Sequence, residues 1–239
     1  ALAPNGSDSS VQEQYMGDAF LQERDIDMRA APQSTYDYQF IRPFRGLYDG
    51  GSHAIRGYFA RLSIEKDHRL GLFPYVNGGT LKNIEMKEDG SHTIAWTNSI
   101  DAAFGCLAGV VVNGTIDRCT LTSDSVASIS ITGLNPTGGN TTHNTGHNIG
   151  GLVGNAWNTR IVHSSIENFS ISVSSADGTW KTNEVHMGML VGRVDATGLA
   201  SVTDSLTALS AANSSLTVTA CAAAHQTESI GGIAGLMLV

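Results

Sequence analysis

The chain has 239 residues, of which only 15% are charged, and it carries 27 glycines. Its 14 Lys and Arg stand against 22 Asp and Glu, a net charge of -8, so no basic surface is available to collect nucleic-acid phosphates or anionic lipids. No run of apolar residues approaches the roughly 18 needed to cross a bilayer, and a charge-poor, glycine-rich chain suits short strands joined by tight turns. An all-β protein without a membrane span is expected.

In chain order, residues 1–24 read as an N-terminal cap segment. Ser10 to Glu13 fits a capping box, and Val11, Tyr15 and Met16 supply the apolar face of a short helix ending at Gly17. The first residue is Ala1, which fits a removed leader or excision from a longer chain.

From residue 25 to 239 the chain repeats itself. A short block recurs as Gly71-Leu72-Phe73-Pro74, Gly105 to Gly109, Gly150 to Gly154, Gly188 to Gly192 and Gly231 to Gly235. Counted from Pro74 and then from the last Gly of each block, the spacings are 35, 45, 38 and 43 residues. Behind each of the first four blocks comes a Gly, Asn or Asp turn and an alternating strand: Thr80 to Met86, Thr115 to Leu121, Arg160 to Ile166, and Ala200 to Leu209. A third strand follows in most units, at His92 to Trp96, Val126 to Ile131, Phe169 to Val173 and Leu216 to Cys221. Three short strands per unit describe one coil of a β-solenoid, parallel β-helix-like, with about five or six coils in all. Solvent-facing turns are free to lengthen while inward residues keep register, which accounts for the elastic period. Leu72, Leu107, Leu152, Leu190 and Ile233 are expected to stack in one interior column.

These blocks resemble the GLUG-motif repeats of bacterial surface proteins and adhesins, named for a Gly-Leu-any-Gly core. The upstream order, Asp25 to Met28, Phe44 to Ile55, Gly71-Leu72-Phe73 and Gly78 to Ile84, is similar to that family's entry coil. The resemblance covers the chain from about Ala19 onwards. It implies a β-solenoid at a cell exterior, secreted or on the surface, whose work is adhesion or scaffolding. It implies no catalytic residues and no cofactor.

Candidate chemistry is sparse. His143 and His147 lie four apart, the helical spacing of a metal pair, but the glycine and threonines around them argue against a helix. With no Cys, Asp or Glu nearby, no metal site is expected. The same long polar loop, with His143, Asn144 and His147, is the best candidate for ligand recognition. Asp117, Asp124, Asp195 and Asp204 fall at different offsets from the repeated block and so do not read as the paired carboxylates of a polysaccharide-cleaving enzyme. Asp25, Asp27 and Asp49 read as turn and cap residues, with calcium binding the minor alternative. Cys106, Cys119 and Cys221 form neither a disulfide framework nor a zinc signature, and they read as small buried hydrophobes, a Cys106 to Cys119 bridge being the alternative. Sequons begin at Asn5, Asn113, Asn140, Asn168 and Asn213, in a sequence so rich in Asn, Ser and Thr that several arise by chance.

The sequence stops at Val239, directly after the fifth block. An unfinished coil there would leave Ile233, Leu236 and Leu238 on an open edge fit for assembly. Partners are therefore expected to be other copies of the chain or a surface glycan or protein. The reading from sequence is a non-enzymatic surface adhesin or structural protein. The alternatives are a self-assembling filament subunit and a carbohydrate-active enzyme.

Overall fold

A computed structural model describes residues 17–30, 43–58, 64–65, 69–96, 103–134, 147–175, 185–195, 206–207, 209–219 and 228–238. Strands dominate them, with one 3-10 turn at Met28–Ala30. The expected capping helix and residues 1–16 lie outside the described residues. Parallel stacking begins upstream of Asp25, because Ala19–Leu21 already pairs with Leu47–Asp49.

The strands form four sheets, of six, nine, five and five strands, and the ladders that join them are parallel. The chain visits them in a fixed order. After the Gly-rich block it enters the fourth sheet, as at Val153–Trp157, then the first at Arg160–Val162 and the second at Ser165–Ser175. It then passes to the third at Val185–Gly188 and returns to the fourth at Val191–Asp195. Each strand hydrogen-bonds to the one the chain made on its previous visit. In the fourth sheet Val110 pairs with Tyr75 and Asn155, Asn155 with Arg193, and Arg193 with Leu236. Those offsets are 35, 45, 38 and 43 residues, the spacings of the repeated block.

The first three alternating strands of the sequence analysis are two strands each, and most of the fourth, Ala200 to Leu209, lies outside the described residues. Thr80–Lys82 belongs to the first sheet and Glu85–Lys87 to the second. Between them Asn83 turns the corner in the left-handed region at φ 53°, and Arg118 and His163 do the same at 52° and 51° in the next two repeats. The buried residues record the bend: Leu81, Ile84 and Met86, then Ile116, Cys119 and Leu121, follow an i, i+3, i+5 pattern where an unbroken strand gives i, i+2, i+4. In the third of these repeats Ser164 takes the middle place. Its buried hydroxyl donates to the Val162 carbonyl at 2.9 Å and accepts the Cys119 N–H at 3.1 Å, which removes the cost of putting a polar group there.

The blocks make the opposite corner. Gly150 and Gly188 are register partners, and a Cβ on either would collide with a carbonyl oxygen of its own corner, of Val153 and Val191 respectively. The Leu107 N–H bonds Leu152 O, that of Leu152 bonds Leu190 O, and that of Leu190 bonds Ile233 O, so these four share one register place. Leu72 does not share it. Its corner is one residue shorter and its N–H bonds Cys106 O, although its side chain still joins the common core. That core is continuous from Met28 to Val194, with Ile233 partly buried against it.

Candidate functional site

The sequence links that follow the second-sheet strands, 97–102, 135–146, 176–184 and 220–227, lie outside the described residues. His143, Asn144 and Asn140 fall in one of these links, outside the described residues. His147 does not belong to a solvated loop: it opens the strand His147–Gly150, all four residues of which are buried. The reason is pairing. His147 and Asn148 lie beside Val185 and His186 in a sheet with neighbours on both edges, and Asn148 and His186 are buried too. Burial lowers the His147 pKa to about 4, so the imidazole is neutral at neutral pH. Polar residues next to glycine carry no signal of this in the sequence; only the alignment of Gly150 with Gly188 does.

Two outward faces among the described residues are built for recognition. On the fourth sheet, Tyr75, Val110, Asn155, Arg193 and Leu236 form one column and Val112, Trp157, Asp195 and Leu238 the next. The residues between them, Val76, Val111, Ala156 and Val194, point into the core and are wholly buried. Trp157 is 49% exposed, a large cost in apolar surface left in water, and it sits between Val112 and Asp195. The Arg69 guanidinium lies over the Tyr75 ring at 4.4 Å.

The second face is on the second sheet. Ser91, Ser128, Ser170 and Ser215 occupy one column and Thr93, Ser130, Ser172 and Thr217 another. All eight are partly or largely exposed. The Ser128 hydroxyl donates to Ser91 Oγ at 2.9 Å, and Ser170 and Ser215 share a hydrogen bond of 2.9 Å.

The acidic residues lie apart. Asp49 accepts from Asn83 and from the Gly51 N–H and pairs with Lys82 at 3.0 Å, contacts that hold its carboxyl at a pKa of about 2. Asp25 accepts the Ala54 N–H with Arg56 and His53 beside it, so its pKa also falls. Asp49 thus closes a local turn, whereas Asp25 bonds across to the strand that starts at Ala54. Asp27 pairs with Arg29 at 2.8 Å and Asp124 with Lys87 at 2.7 Å. Asp117 meets Arg118 at 2.8 Å and His163 Nδ1 at 3.0 Å. Asp204 lies outside the described residues.

Cys106 and Cys119 are buried free thiols, both with pKa raised by desolvation, Cys119 to about 12; Cys221 lies outside the described residues. Among the described residues no three His, Cys, Asp or Glu are grouped to hold a metal ion, and no helix is long and apolar enough to cross a membrane. Of the sequon asparagines, Asn113 and Asn213 are exposed, while the half-buried Asn168 donates to Ser123 O at 3.1 Å. Ile233 packs on the core, and Leu236 and Leu238 lie on the outermost strand of the fourth sheet, Ala234–Leu238. No family model matches the chain, and no curated protein and no solved structure matches it either.

Proposed function

We propose that this chain is a β-solenoid module, GLUG-like in sequence, that works outside the cell as a non-enzymatic adhesin or surface scaffold. The observation that carries the reading is the fixed circuit through four parallel sheets, kept while the links between them change length. Such a frame commits its inward residues to stability and leaves whole outward faces free for binding. Trp157, exposed on a flat face beside Asp195 and near Asn155 and Arg193, is the anchor for a surface glycan or protein. A secreted or surface-attached location follows from the same reading.

The test is binding of the full chain to arrays of glycans and surface glycoproteins. Trp157→Ala is expected to weaken a measured interaction by at least about tenfold, the usual scale of a central aromatic anchor. Absence of any ligand, or binding unchanged in the variant, would sink the reading. A filament subunit is the second reading, favoured by Ile230 and Met237, which are 54% and 39% exposed. The carbohydrate-active enzyme has only the Asp117–His163 contact in its favour. Among the described residues His163 makes no hydrogen bond to a hydroxyl or thiol that it could activate.

A further inference from the structure

The two hydroxyl columns of the second sheet are unused by the adhesin or scaffold reading. Over four successive strands every position in both columns is Ser or Thr. The sequence separations along the first column differ, at 37 from Ser91 to Ser128, 42 to Ser170 and 45 to Ser215. Residue type therefore follows the place in the sheet and not a fixed period in the chain. The alternate residues Ile129, Ile131, Ile171 and Val173 are buried, so the hydroxyls ride on a sheet backed by close-packed core, which resists bending.

The geometry is a two-dimensional lattice. Neighbouring strands are about 4.8 Å apart and alternate residues on one face about 6.6 Å apart. Hydroxyl-to-hydroxyl bonds between Ser91 and Ser128, and between Ser170 and Ser215, fix orientation along a column. Neither column holds a charge. Lys87 and Glu167 lie before the register shift that precedes the columns, and Glu65 pairs with Trp96 beyond their other end.

We infer that this face binds the surface of ice. A partner that uses every row must itself repeat in two dimensions, carry no charge, and offer a donor and an acceptor at each repeat. The oxygens at an ice surface also repeat in two dimensions, at spacings comparable with these, and each oxygen there donates and accepts, as a hydroxyl does. A soluble oligosaccharide repeats along one direction only. An ionic partner would find no counter-charge, and a protein partner would find no apolar anchor in the columns.

The experiment grows ice slowly from a solution of the full chain carrying a fluorescent label. It measures partition into the ice and the gap between melting and freezing temperatures. The wild-type chain is expected to enter the ice and open such a gap. Ser128→Tyr and Ser172→Tyr, each placing a ring on the lattice, are expected to lose both effects, whereas Arg160→Tyr on the first sheet keeps them. Melting followed by circular dichroism shows that each variant is folded, and either lattice variant alone suffices. Exclusion of the wild-type chain from ice, or equal partition of wild type and Ser172→Tyr, would overturn the inference. So would binding to microcrystalline cellulose or chitin with exclusion from ice, which would assign the lattice to an ordered polysaccharide. The Trp157 test reads a different face, so either proposal can fail while the other stands.

Discussion

At the scale of single residues, the frame is held by groups whose roles depend on where the sheets place them. His147 is the clearest case. Its pKa of about 4 in the folded chain lies below the ordinary value near 6.5. The unfolded chain therefore binds more protons between those pH values, and folding stability falls as pH drops through that window. The full loss is about 3 kcal/mol, since each tenfold change in proton affinity is worth about 1.4 kcal/mol. Denaturation midpoints measured from pH 7 to pH 4 should show this decline, and in His147→Asn a clearly shallower one. Identical slopes in the two proteins would show that His147 is not the group being titrated. Asn113, by contrast, opens a sequon, yet its φ of 51° in the turn between fourth and first sheet gives it a structural reason to be there, since Asn tolerates the left-handed region.

At the scale of elements, the repeated corner dominates. Leu152 is wholly buried, and its backbone is bonded to the repeats on both sides, through the Leu107 and Leu190 positions. Leu152→Ala should cost about 2–5 kcal/mol, and Leu152→Asp more, because a carboxylate adds its desolvation to the lost burial. The expected outcome for Leu152→Asp is loss of the cooperative thermal transition. A cooperatively folded Leu152→Asp protein would refute the interior placement. The bends between first and second sheet are present in the sequence as the i, i+3, i+5 spacing of Leu81, Ile84 and Met86. They pass for one strand there because the turn chemistry rests on Asn83, Arg118 and His163, and only the asparagine is a usual turn residue.

At the scale of the whole molecule, burial changes along the stack. Leu70, Phe104, Ile149 and Met187 are fully buried in one column of the third sheet, whereas their partner Ile230 is 54% exposed. Val76, Val111, Ala156 and Val194 are likewise buried, and Met237 is 39% exposed. Among the described residues no further strand pairs with Glu228–Gly231 or Ala234–Leu238 on the outer side. If this apolar end takes a second copy, mass in sedimentation should rise with concentration, and Ile230→Lys with Met237→Lys should abolish the rise. A wild-type chain that stays monomeric over the whole range removes the filament reading.

Strand content, the repeated unit and its register are legible in the amino-acid order alone. Gly150 and Gly188 cannot be exchanged without collision, and the spacing between such fixed corners is the spacing between hydrogen-bonded neighbours. Period-two burial likewise marks the inward residues of the longer strands, such as Ile129 and Ile131. Packing in three dimensions is what makes the unit visit four sheets, encloses His147, and gathers Ser and Thr from four distant stretches into one lattice. Those outcomes depend on which residues become neighbours across paired strands 37 to 45 positions apart. A side chain's environment there is set by the strands above and below it, and local composition holds no record of them.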